Sequence, residues 1–304
     1  MRYNPRARLD RSQIENRRGG GGGGLGFPVG GGGRGMKVGG GVGGLVVLLI
    51  IFLLQSQLGG GTSPDQGSST SADDSFAGCV DGADANRNPD CALVADVNSI
   101  QSYWSDTLPD QAGVQYTRSK TVPFTGQTQT GCGAGTSDAG PFYCPVDKNV
   151  YLDTTFFDDM LEGQLGARGG PFSVAYVLAH EYGHHVQDLL GTLGKVRTQQ
   201  GADSDAVRLE LQADCYAGMW AKNATQAPDA GGEPFIIDLT KDDISRALDA
   251  ARAVGDDRIQ QRTSGRVNPD QWIHGSAEQR MRWFTTGMTK GTLEACDTFT
   301  ARRL

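Results

Sequence analysis

His180, Glu181 and His184 stand in the order H-E-x-x-H inside the apolar run Phe172–Leu190. Pro171 near the start of that run and Gly191 just past its end mark it as a helix. Residues four apart on a helix lie one above the other, so the two imidazoles face a common point. Two neutral imidazoles at that separation suit one divalent ion, and zinc is the best match to such ligands. Glu181 falls beside the same point, placed to take a proton from a water held there. The chain has four histidines, three of them at 180, 184 and 185, and such sparing, clustered use points to chemistry. The bland alternative is a pair of core histidines satisfied by backbone carbonyls. The glutamate between them argues against it.

Two histidines leave such a site incomplete, because a catalytic zinc has three protein ligands and one open position. The longer metzincin pattern requires Gly and His where Gln187 and Leu190 stand, so the third ligand is expected from another helix. Glu210 is the best candidate. Asp214, four residues on, shares its face and is placed to accept the Nδ1–H of one histidine, fixing its tautomer. The competing reading leaves both as solvated carboxylates on an exposed helix face. His185 points about 100° around the helix from His184, which suits a surface or packing role. His274 lies in a loop just before an N-capped helix, a setting from which a side chain can reach a cleft and hydrogen-bond an oxyanion; a purely structural role is the alternative. Tyr182 and Tyr151 are further candidate donors.

The elements that position these residues read as follows. Leu93, Val97, Ile100 and Trp104 have helical spacing over Cys91–Thr107, with a stop expected before Pro109. Val114–Phe124, Gly140–Cys144 and Asn149–Leu152 read as short strands between Gly- and Ser-rich turns. A second helix is expected over about 204–223 and a third from Thr240 to near Gly255. A fourth opens at Ser276, with Gln279 at the spacing of a capping box. Strands and helices in separate blocks indicate an α+β fold, with a small antiparallel sheet. An exposed strand at Asn149–Leu152 would be able to pair with an extended substrate.

Charge divides the 304-residue chain: residues 1–37 carry eight basic side chains against Asp10 and Glu15, a net of +6, so the total of −7 leaves −13 for the rest. So acidic a body argues against nucleic acid as a partner. Residues 38–58 contain no charge and are long enough to cross a bilayer, so a single-pass anchor is expected there. Basic residues before it place the N-terminus in the cytoplasm and the body outside, at the cell membrane. Residues 1–37, in which glycine is abundant, read as a disordered tail, and 59–75 as a flexible linker. The folded domain is expected over 76–304. All six cysteines follow the apolar run, an arrangement that suits disulfides in an exported domain. The expected pairs are Cys79–Cys91, Cys132–Cys144 and Cys215–Cys296, among fifteen possible pairings.

Gly140-Pro141-Phe142-Tyr143-Cys144-Pro145, Val150-Tyr151-Leu152-Asp153, His180–His184, Glu210–Asp214 and His274-Gly275-Ser276 with Gln279-Arg280 occur in an order that resembles the bacterial neutral zinc metallopeptidases. The resemblance spans roughly residues 76–300. It implies a zincin-like domain of the gluzincin kind, one zinc ion held by His180, His184 and Glu210, Glu181 as general base, and a protein or peptide substrate. The Glu210…Asp214 spacing resembles that of membrane-associated gluzincins, in which the aspartate supports a histidine ligand. The expected activity is that of a membrane-anchored zinc endopeptidase. Its rivals are a catalytically inactive, zinc-stabilised scaffold and a zinc amidase acting on cell-wall links.

Overall fold

The structure is a computed structural model that describes residues 1–19 and 75–304. In chain order its regular elements are β1 (Arg2–Tyr3), α1 (Gly82–Ala85), α2 (Pro89–Ala112), β2 (Thr121–Phe124), β3 (Gln127–Thr130), β4 (Gly133–Thr136), β5 (Phe142–Cys144) and β6 (Asn149–Asp153). There follow α3 (Pro171–Leu189), α4 (Asp205–Asn223), β7 (Ile236–Asp238), α5 (Lys241–Ala253), α6 (Asp256–Ser264) and α7 (Ala277–Lys290). The α+β class is as expected.

Local chemistry explains most boundaries. Asn88 caps α2 by accepting from the Asp90 N–H, with Pro89 in the first turn. The expected stop before Pro109 is corrected: α2 runs through it to Gly113, whose φ of 66° makes the left-handed cap. Pro109, in the last turn, forfeits one i→i−4 bond, to the Ser105 carbonyl, without ending the helix, and the glycine is the terminator. Ser204, Thr240 and Ser276 cap α4, α5 and α7, the last two through capping boxes.

The expected antiparallel sheet is also corrected. Its order is β2-β6-β5, with β2 and β6 parallel and only β5 and β6 antiparallel. The chain leaves β2 through the β3–β4 hairpin, returns along β5 and turns tightly, so β6 is laid between β5 and β2. The strand expected over Val114–Phe124 shortens to Thr121–Phe124.

Helix α3 is buried along most of its length and packs against α2, α4 and α5. Its contact with α4 is close: a Cβ added at Gly183 would lie 3.0 Å from the Ala213 Cα. Helices α4 and α7 approach more closely still. A Cβ at Gly287 would sit 1.9 Å from the Cys215 carbonyl oxygen, and one at Gly218 2.1 Å from that of Phe284. Only glycine permits that crossing. Three disulfides join Cys79–Cys91, Cys132–Cys144 and Cys215–Cys296, the expected pairs.

The N-terminal expectation needs a correction. Residues 1–19 are folded on the body: β1 pairs with β7, and Tyr3 and Ala7 are buried in the main core. Few apolar residues suffice because the segment borrows its partners from the body. The anchor expected at residues 38–58 and most of the linker at 59–75 lie outside the described residues. Among the described residues no helix is long and apolar enough to cross a membrane.

Candidate metal centre

Helix α3 presents His180 and His184 on its inner face, and α4 presents Glu210 opposite them. His180 Nε2 lies 3.3 Å from one Glu210 carboxylate oxygen and His184 Nε2 lies 3.4 Å from the other. The three ligand atoms all lie within 4.8 Å of one another, in a buried setting. Tetrahedral ligands about 2.0–2.1 Å from zinc stand roughly 3.3–3.4 Å apart, the distance of each imidazole Nε2 from a Glu210 oxygen, and two imidazoles with one carboxylate suit that ion.

Both Nε2 atoms face inward because each Nδ1 is engaged behind. His180 Nδ1 donates to Asp214 Oδ1 at 2.9 Å, the role expected of that aspartate. His184 Nδ1 pairs with Gln187 Oε1 at 2.8 Å. Gln187 is itself held by the Leu209 carbonyl at 2.7 Å and Gln212 at 3.1 Å. Both ring orientations are thus set by groups that touch no ligand position.

Charge in this pocket is finely divided. Burial opposes a proton on His180, but Asp214 and Glu210 outweigh it and push its pKa up to about 10. Burial wins at His184, which falls to about 4 despite the pull of Glu210. Burial also lifts the Glu181 carboxyl to about 8, with Glu210 adding to the rise while His180, Arg280 and the Tyr143 N–H oppose it. Asp214 is fully buried yet held down at about 2, because Arg280 and His180 overcome its desolvation.

Sequence reasoning missed three members of the site. Arg280, on α7, grips Asp214 with Nε to Oδ2 at 2.8 Å and Nη2 to Oδ1 at 2.9 Å. Tyr176, one turn before His180, donates to Asp214 at 2.6 Å. Asp256 accepts the backbone N–H groups of Ile273, His274 and Gly275 on one oxygen, and its other oxygen lies 3.1 Å from His274 Nδ1. Arg280 had a signal, its place one residue after the capping Gln279. Asp256 had none beyond its position at the head of a helix.

His274 reaches the cleft, which is also lined by Glu181, Phe142, Phe156, Leu165, Val177, Val254 and Ile259. The other expected donors do not. Tyr182 is buried with its hydroxyl 2.9 Å from Thr121 Oγ1, on the sheet side of α3. Tyr151 donates to Asp147 at 2.7 Å and stacks on Phe142. His185 does pack: it is fully buried, with Nε2 2.6 Å from the Thr117 carbonyl and Nδ1 3.0 Å from the Tyr143 hydroxyl. The expected pairing of substrate with Asn149–Leu152 is ruled out by topology, since β6 is hydrogen-bonded on both sides. The edge strand beside the cleft is β5.

A helical pair of histidines, a carboxylate from the next helix and a buried glutamate beside them define a zinc-metallopeptidase type of centre. The chain matches the family described as "Putative neutral zinc metallopeptidase" over residues 1–299, and it belongs to that family. It is 54% identical over 228 residues to an uncharacterized protein of Mycobacterium tuberculosis, covering 74% of this chain and 76% of the relative. An uncharacterized protein of Mycobacterium bovis is similar to the same degree, 54% over 228 residues, with the same shares of 74% and 76%. The uncharacterized protein YpfJ of Escherichia coli K12 is 46% identical over 196 residues, or 62% of this chain and 64% of that one. No solved structure matches.

Proposed function

We propose that the chain is a zinc-dependent endopeptidase, attached to a membrane through residues 38–58 and working outside the cytoplasm. The observation that carries the catalytic reading is Glu181, a carboxylate buried at the cleft wall next to three converging metal donors, where a purely structural site needs no base. Zinc held by His180, His184 and Glu210 supplies the charge that polarises a carbonyl and acidifies water, and favours the ionised form of Glu181. Glu181 then takes the water proton and delivers it to the leaving amine. The Tyr143 N–H, on the outer edge of β5, favours the ionised form of Glu181. His274, aligned by Asp256, stands across the cleft to donate to the oxyanion.

An extended substrate would lie along the outer edge of β5, which among the described residues pairs only with β6. The apolar walls suit peptides with apolar side chains beside the cleaved bond. The three disulfides support a location outside the cytoplasm. The test is Glu181→Gln: zinc content should match wild type while cleavage of a denatured protein falls by about 10²–10⁴-fold. Retained cleavage would leave the scaffold reading in its place. Cleavage of purified peptidoglycan but not of protein would favour the amidase.

A further inference from the structure

Residues 1–18 are bound to the body along their whole length. The N-terminal ammonium meets Asp243 at 2.5 Å, the Tyr3 hydroxyl donates to buried Asp96 at 2.9 Å, and Asn98 both accepts from and donates to the Asp10 backbone at 2.7 and 3.0 Å. Gln101, fully buried on α2, donates to Gln13 at 2.8 Å. The Glu15 and Arg17 N–H groups donate to the Thr121 and Pro123 carbonyls at 2.9 and 2.8 Å, so the segment adds to the β2 edge of the sheet. The floor of the groove is shaped for it: a Cβ at Gly82 would lie 1.9 Å from the Asn4 carbonyl oxygen. Charge agrees, since Arg2, Arg6, Arg8, Arg11, Arg17 and Arg18 come to a face that carries Asp90, Asp229, Glu233 and Asp243.

The two ends of the intervening chain also meet. Arg18 pairs with Asp90 at 2.7 Å and donates to Ser75 at 2.7 Å, and Asn16 reaches the same Ser75 hydroxyl at 3.3 Å. A segment that crossed a bilayer once would carry its ends to opposite faces, about 30 Å of hydrocarbon apart.

We propose that the acidic groove formed by α2, the β2 edge and β7 is the docking site of this chain's own basic N-terminal segment, and that residues 1–18 therefore lie on the same side of the membrane as the body. This replaces the opposite-side orientation expected from charge alone. It does not depend on the peptidase reading, because no residue of the metal centre takes part.

The test uses the full chain in spheroplasts, with a membrane-impermeant maleimide as the probe. Exposed Ser12→Cys reports the segment and exposed Asp106→Cys reports the body. The same labelling pattern at both positions, before and after permeabilisation, is the expected result. Labelling of one before and of the other only after permeabilisation overturns the proposal. A second measurement addresses docking itself. Asn98→Ala removes both contacts to Asp10, and tryptic cleavage after Arg11 in the purified chain should accelerate about 5- to 100-fold. A wild-type chain already cleaved there at the variant's rate would show that the groove does not hold the segment.

Discussion

Replacing Arg280 tests whether the metal centre depends on a buried ion pair that lies behind it. The Arg280 and Asp214 side chains are 5% and 0% exposed, and they meet through two parallel hydrogen bonds of 2.8 and 2.9 Å. Arg280→Met keeps much of the volume but leaves Asp214 as a buried carboxylate with only Tyr176 and His180 as partners. Breaking one side of such a pair costs about 3–5 kcal/mol, a large part of the roughly 5–15 kcal/mol that stabilises a domain. With a slope of about 3 kcal/mol per molar urea, the unfolding midpoint should drop by about 1–2 M. Asp214→Leu strands the guanidinium instead and should cost as much, whereas the double variant should recover most of the loss because neither charge is then orphaned. Zinc content separates stability from function: both variants carrying Asp214→Leu should bind zinc about 10–100-fold more weakly, since His180 loses its orienting acceptor. Strictly additive losses in the double variant would refute the reasoning, because they would mean the two side chains do not act as a pair.

Glu210→Ala should abolish stoichiometric zinc in the purified chain; unchanged zinc by metal analysis would discard α4 as the source of the third ligand. Asp256 holds the His274 imidazole above its ordinary value against the opposing effect of burial, so Asp256→Asn should lower the His274 pKa, read by NMR titration. In sign, a raised histidine stabilises the fold below its unfolded pKa of about 6.5 and loses that contribution as pH rises through the folded value, so the variant's stability deficit should shrink above that range. Removing Cys215–Cys296, which spans 81 residues, should cost about 4–5 kcal/mol by loop entropy, against about 3 kcal/mol for Cys132–Cys144 with its span of 12. The opposite order in urea unfolding would show that local packing, not loop length, governs them. Gly287→Ala should push α7 off α4 and lower both stability and zinc binding, and a neutral effect would contradict the close crossing.

What was legible in the sequence was local. His180, Glu181 and His184 share one helix face, Glu210 and Asp214 share another, and both patterns follow from 3.6-residue spacing and caps that any reader can locate. Arg280 was quoted as part of a motif but given no role, since a charged residue in a capped helix is ordinarily solvated and nothing local marks it as buried. Asp256 serves the site through three loop N–H groups, a contact that spacing does not encode. The parallel pairing of β2 with β6 depends on how the 24 intervening residues, 125–148, double back. The N-terminal segment was misread because its affinity for the body comes from backbone pairing and scattered polar partners rather than from an apolar stripe.

The near-contact of Gly183 with Ala213 has a consequence for how the ion relates to the rest of the molecule. Because the backbones of α3 and α4 already touch there, and Asp214 is clamped to α7, the spacing of the donors is dictated from behind. An ion bound there would therefore be a passenger and not a keystone. Treatment with a chelator should abolish the proposed peptidase activity while leaving melting cooperative, and added zinc should restore that activity without any refolding step.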